Sequence, residues 1–337
     1  MLFEGEFAMK DTTLFALLPP EYVCTPDGMA IDSEGNLILS CPNYAEDTMS
    51  GCIVRIDKDK NISKWFDVPV HPETGVARNM GIEFDRFGYL YICDNQGWRK
   101  DAPQFKGRVL KVKASPEGEI LSCTVVADEM EHPNGIRIRG DYMYVTESKM
   151  TRVPDEKGRM VSGVYRFGLN EHDIHVKNTL EDDHLLVSFV TQNLSNRYGA
   201  DGIAFNSRGE LFVGNFGDGE IRRIRFNEDG SVREHIAFAR DPEQLVSTDG
   251  MIFDENDNCY IADFKVNAIA KMTPDGKLER LAQSPDCDGF NGELDQPGEP
   301  IIWQGRLIAS CFDLSVGPGK VNTAHEMPAT MAELKIF

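Results

Sequence analysis

Polar and apolar positions alternate along this chain in short bursts, and the bursts recur. Residues 199–224, GADGIAFNSRGELFVGNFGDGEIRRI, pass from Asp-Gly through an apolar pair, turn at Ser207-Arg208-Gly209 and continue as ELFVGNF. A second turn at Gly217-Asp218-Gly219 leads into EIRRIRF, where apolar and charged side chains alternate. A period of two broken by Gly-bearing turns predicts short β-strands, not a helix. The same pattern returns as PDGMAIDSEGNLILS from Pro26, NMGIEFDRFGYLYICDN from Asn79 and PNGIRIRGDYMYVTES from Pro133. It returns again as TDGMIFDENDNCYIADF from Thr248 and GEPIIWQGRLIASCF from Gly298. About six units, spaced roughly 50 to 65 residues apart, mark a repeat architecture.

Each unit offers about four strands whose apolar faces need cover on both sides, and packing such sheets around an axis supplies it. The expected fold is all-β, a six-bladed β-propeller with a central metal site. No linker rich in Pro, Gly or Ser divides residues 1–337, so one domain is expected. The N-terminal run TLFALLPP reads as an outer strand lent to the last blade, because an open ring would leave unpaired edges. Residues 170–198 repeat least; a short helix is one reading, and a lid, a dimer contact or a solvated loop are its roles.

Composition narrows the partners. A formal net charge of -20 argues against nucleic acid or an anionic membrane surface as partner. No apolar run is long enough to span a bilayer and the N-terminus lacks a secretory pattern, so a cytoplasmic protein is expected, with a homodimer left open. The eight cysteines contain no CxxC pair, and Cys93, Cys259 and Cys311 fall inside predicted strands as small buried hydrophobes. Neither a Gly-x-Ser-x-Gly elbow nor a phosphate-cradling Gly-rich loop is present.

The candidate chemistry lies at the start of each unit. Asp27, Asn79, Asn134, Asp201, Asp249 and Glu299 stand at that recurring turn, and all are Asp, Asn or Glu. If the units place them at one depth, oxygen donors converge on the channel, which suits a hard divalent cation. The competing explanation is local: Asx-Gly pairs are favoured in turns.

These units, most clearly from Asn79 to about Phe264, resemble the SMP-30/gluconolactonase/LRE-like family. Its members are calcium-bound six-bladed propellers that include sugar lactonases and, more distantly, diisopropylfluorophosphatase and paraoxonase. The resemblance implies a metal held by Glu, Asn, Asn and Asp in the cyclic order Glu, skip, Asn, Asn, Asp, skip. Glu299, Asn79, Asn134 and Asp201 match these types if the first blade is moved to the end of the chain, the preferred register. The unshifted register uses Asp27, Asn134, Asp201 and Asp249 and requires two substitutions. Calcium is the expected ion, with manganese and zinc as alternatives, and a small lactone or ester is the expected substrate. Asp201 is the expected catalytic residue, activating water or attacking directly.

Around it, Arg78, Trp98, Asp27 and Asp249 are the expected substrate contacts, with Phe105 also at the mouth. The sugar lactonases carry an Arg where this chain has Ala77, one step before Arg78, which puts an aldonolactone substrate in doubt. By analogy with a His dyad of paraoxonase-like enzymes, His132 is a further catalytic candidate. The alternatives are a phosphotriesterase or arylesterase on the same site, or a metal-pinned binding module.

Overall fold

Six sheets, each built on four antiparallel strands, form in chain order in a computed structural model that describes residues 9–97, 103–314 and 320–336. Blade 1 comprises Met29–Ile31, Leu37–Cys41, Cys52–Ile56 and Ile62–Asp67; blade 2 comprises Asn79–Phe84, Leu90–Asp94, Gly107–Ala114 and Ile120–Met130. Blade 3 comprises Pro133–Arg139, Tyr142–Glu147, Met160–Gly168 and Leu185–Thr191; blade 4 comprises Ala200–Phe205, Leu211–Asn215, Glu220–Phe226 and Val232–Arg240. Blade 5 comprises Met251–Phe253, Cys259–Asp263, Ala268–Met272 and Leu278–Gln283. Blade 6 has Pro297–Trp303, Arg306–Cys311 and Thr330–Leu334, and takes its outermost strand, Thr12–Leu17, from the N-terminus. The chain is thus the six-bladed β-propeller that its repeats predict.

The first hairpin of most blades is set by an Asx side chain that bonds its own turn. Asp32 Oδ1 accepts the N–H groups of Glu34 and Asn36, both at 2.9 Å. Asp85 serves Phe87 and Tyr89 in the same way, and Asp254 serves Asn256 and Asn258. Strand alternation then sends successive side chains to opposite faces. In blade 3, Tyr144 packs with Ile203 and Leu211 of blade 4, while Met143 and Val145 pack with Tyr91 and Cys93 of blade 2. The core is therefore divided into wedges between adjacent blades, and the last wedge joins blade 6 to blade 1. Cys93, Cys259 and Cys311 are fully buried in these wedges.

Ring closure follows the expected exchange. Thr12–Leu17 pairs antiparallel with Thr330–Leu334, and Phe15 packs edge-on against Trp303 with centroids 5.8 Å apart. The helix considered for residues 170–198 does not form. LLVSFVT, with its β-branched and aromatic residues, makes the outer strand of blade 3, while Ile174–His175 adds in parallel to Ile120–Met130 of blade 2. No helix among the described residues is long and apolar enough to cross a membrane.

Candidate metal centre at the propeller axis

The innermost strands share a bulge that fixes which residues face the axis. Pro133 pairs with Glu147, and the next register pair is Ile136 with Val145. The same step separates Ala200–Asn215 from Ile203–Val213, Asn79–Asp94 from Ile82–Ile92, and Pro297–Cys311 from Pro300–Ala309. Counted from these pairs, Asp27, Met80, Asn134, Asp201, Asp249 and Gly298 hold equivalent positions on the six blades.

Contacts one residue later agree with that count. A Cβ on Gly28 would lie 2.5 Å from the Met80 carbonyl oxygen, one on Gly81 2.5 Å from that of Asn134, and one on Gly135 2.7 Å from that of Asp201. A Cβ on Gly202 would collide with the Asp249 carbonyl. The recurring glycine is therefore a point of close approach between blades, not the positive-φ turn residue that an Asx-Gly pair suggests.

Three expected site residues stand elsewhere. Asn79 lies between blades 1 and 2, its Nδ2 donating to Ser40 Oγ at 2.7 Å and to the Cys52 carbonyl at 3.0 Å. Its Oδ1 is buried beside Gly51, and the axial position of its blade belongs to Met80. Glu299 occupies the slot filled by glycine in the other blades, so its carboxylate extends past Gly250 and meets Arg137 Nη2 at 2.5 Å. Arg137 Nε is also 3.9 Å from Glu83, and Glu83 and Arg137 line the opposite mouth of the channel, a cavity of about 320 Å³. Arg78 turns away from the axis. Its guanidinium donates to the carbonyls of Pro42, Asn43, Met49 and Asp47 at 2.8–3.1 Å, clasping a blade 1 loop. Trp98 lies outside the described residues. Phe105 is covered by the Arg152 guanidinium, 3.9 Å from its ring centre.

The residues that do gather are Asp27, Asn134, Asp201 and Asp249, the set of the unshifted register. Asn134 Nδ2 donates to Asp201 Oδ1 at 2.5 Å. Both side chains, with Asp249 and Met80, line an axial cavity of about 40 Å³, room for a few waters or the reacting end of a small molecule. Asp27 stands beside it, its Oδ1 close over Gly298, where blade 6 has no side chain to compete. Burial, then the charge of Glu299, pushes the Asp27 carboxyl up to about 8. Burial followed by the charges of Asp27 and Glu299 raises Asp201 well above the usual range, and burial followed by Asp201, Asp27 and Glu299 does the same to Asp249.

These donors are of the oxygen type that a hard cation takes. The carboxylate oxygens of Asp27, Asp201 and Asp249 do not all lie within 4.8 Å of one another, so an ion would have to draw them together. Among the described residues no Lys or Arg forms an ion pair with Asp27, Asp201 or Asp249, and these carboxyls oppose one another's ionisation. A bound divalent ion would relieve that repulsion, and a ligand set of oxygen alone favours a hard one. The acidic groups drawn tightest among the described residues are two others: Asp128, Glu129 and His175 near the surface, where His175 pairs with Asp128, and Asp295, Asp313 and Glu326, which is already bonded. Asn322 reaches both Asp295 and Asp313, His325 pairs with Asp313, and the Glu326 N–H donates to Asp313 at 2.7 Å.

An aromatic wall that the repeat pattern also contained flanks the cavity, which stays open on its outer side. Phe216, Phe264 and Phe312 each follow the last residue of the second strand in blades 4, 5 and 6. Their ring centroids are 5.7 and 5.6 Å apart in sequence, with Tyr198 6.3 Å from Phe216 and Tyr44 6.3 Å from Phe312. The signal was the aromatic at one offset in GNF, ADF and SCF. Lys320 joins the lining, its ammonium 5.6 Å from the Phe264 ring; burial, then Lys265, lowers it to about 8. His132 is buried, packs its edge on Tyr198 at 5.2 Å, and is held well below the usual histidine range by burial and then Lys149.

No family model and no curated protein sequence matches the chain. Among solved structures, a luciferin-regenerating enzyme shares the fold with a TM-score of 0.63 at 11% identity, over 97% of this chain and 95% of its own. A calcium-binding protein, regucalcin from Agrobacterium tumefaciens, gives 0.60 at 10% identity over 96% and 93%. A gluconolactonase from Xanthomonas campestris gives 0.58 at 14% identity over 97% and 90%. These neighbours are SMP-30/gluconolactonase-like six-bladed propellers, and the resemblance drawn from the repeats is met at the level of fold.

Proposed function

We propose that this chain is a divalent-metal-dependent hydrolase that opens a lactone or related ester at the axial cavity. The observation that carries the reading is that Asn134, Asp201 and Asp249 line one axial cavity, with the charge of the Asp27 carboxyl acting on both aspartates. These three carboxyls form no ion pair with a described Lys or Arg. These four side chains would hold the ion, calcium by the oxygen-only donor set. When bound, such an ion supplies Lewis-acid polarisation of the substrate carbonyl.

The remaining chemistry belongs to the chain. Asn134 fixes the Asp201 carboxylate through its Nδ2, leaving Asp201 to take a proton from the attacking water. Water oxygen adds to the carbonyl carbon, the acyl C–O bond breaks, and the departing oxygen leaves as a hydroxyl carrying a proton. The phenylalanine wall keeps water from its side of the cavity and so strengthens the charge interactions beneath it. Lys320 presents a positive charge to the carboxylate formed.

The test is hydrolysis of a panel of lactones, aryl esters and phosphotriesters by chelated protein before and after calcium, manganese or zinc is restored. The reading expects turnover that returns with metal and is lost in Asp201→Asn. Metal that raises the melting temperature with no turnover on any substrate would replace it with a metal-stabilised binding module.

A further inference from the structure

The cavity is polar on its floor and apolar on its wall, and that division bears on what enters. Asn134, Asp201 and Asp249 supply the floor, while Met80, Phe216, Phe264 and Phe312 supply most of the wall. We propose that the site takes lactones and esters with an apolar body, alkyl- or aryl-substituted, and rejects polyhydroxylated sugar lactones. This inference rests on the hydrolase reading above and adds the substrate class.

Three observations carry it. First, the phenyl rings are almost wholly buried and lock edge to face at 5.6–5.7 Å, so the wall is a rigid apolar surface that cannot turn a polar group inward. Second, the described lining above the floor offers hydrogen-bonding groups only on Asn196, Tyr198 and Lys320. Asn196 Nδ2 is buried without a partner, a donor suited to one ester oxygen. Three such groups cannot serve the several hydroxyls of a sugar ring, each of which would give up water for a phenyl face. Third, Arg78, the guanidinium nearest in sequence to the axis of blade 2, points its Nη1 and Nη2 at the carbonyls of Pro42, Asn43, Asp47 and Met49 in a blade 1 loop and does not line the cavity. An alkyl or aryl body has no such deficit and gains by leaving water for the same wall.

The test separates selectivity from chemistry by using unreactive carbonyl analogues. Calcium-loaded full-length protein is titrated calorimetrically with a phenyl-substituted δ-lactam and with gluconolactam. The aryl lactam is expected to bind at least about tenfold more tightly, since a single hydroxyl left without a partner costs about that factor. Phe264→Ser and Phe312→Ser should each narrow the difference, whereas Phe264→Leu, which keeps the wall apolar, should retain it. Equal affinities, tighter binding of gluconolactam, or no binding of either lactam would overturn the inference, and these titrations decide even if the serine variants fail to fold. Turnover of the corresponding lactones is measured in parallel. Faster hydrolysis of gluconolactone would sink the inference and leave the hydrolase reading intact. An aryl-lactam preference without turnover of any lactone or ester would sink the hydrolase reading and leave the apolar selectivity standing.

Discussion

Removing divalent metal should make the stability of this protein fall as pH rises from 5 to 8, and the axial carboxyls set the size of the effect. An aspartate in the unfolded chain titrates near 3.9 and is ionised throughout that window. Asp27 in the folded chain is pushed up to about 8 by burial and by Glu299, so it keeps its proton until the top of the window. The folded state then holds a proton that the unfolded state lacks, and each pH unit favours unfolding by about 1.4 kcal/mol for one such group. Asp27 alone accounts for about 4 kcal/mol between pH 5 and 8. For a chain of 337 residues this is a fall of about 6 °C in melting temperature. Asp201 and Asp249 are raised in the same direction and add to it. The assay is thermal melting by circular dichroism in excess chelator, for the wild type and for Asp27→Asn/Asp201→Asn/Asp249→Asn. The wild type should lose stability across the window, the triple variant should lose much less, and calcium added at pH 8 should restore the wild type alone. A flat or rising wild-type profile, or an equal slope in the triple variant, would refute the electrostatic argument.

Other consequences follow from the same geometry. Phe15→Ala should cost about 3–5 kcal/mol in urea denaturation, because the ring is buried against Trp303 in the strand that closes the propeller. Arg137→Met should destabilise by about 3–5 kcal/mol by leaving Glu299 uncompensated in the channel, and Arg137→Met/Glu299→Gln should recover most of that loss. Gly202→Ala should weaken calcium binding more than it lowers global stability, measured by titration and melting, because the new methyl displaces the main chain of Asp249.

Much of this architecture was legible because a period-two pattern, broken by Asx-capped hairpins, is a local property of strands. The lent N-terminal strand was legible as an apolar run with no partner nearby. The axial set was only partly so. Asp27, Asn134, Asp201 and Asp249 all directly precede the close-approach glycine. Counting from that glycine yields Met80 in blade 2, and the bulge register yields Gly298 in blade 6, where Glu299 takes the glycine's place. Choosing by side-chain chemistry selected Asn79 and Glu299, one residue away on a strand whose faces alternate, and so sent both side chains elsewhere. The Arg137–Glu299 pair spans 162 residues of sequence, and the four carbonyls that hold Arg78 belong to a loop on another blade. Neither leaves a local trace. The three phenylalanines of the wall were legible in principle, since they repeat at one offset, whereas Lys320 comes from a segment outside the repeat.

The central claim is that the axial quartet holds the cation, and calcium titration by calorimetry on chelated protein tests it most directly. The account predicts one tight site in the wild type, lost in Asp201→Asn and Asp249→Asn and kept in Glu299→Gln. Binding that survives Asp249→Asn but disappears in Glu299→Gln would contradict it and return the site to the Glu299, Asn79, Asn134 and Asp201 register.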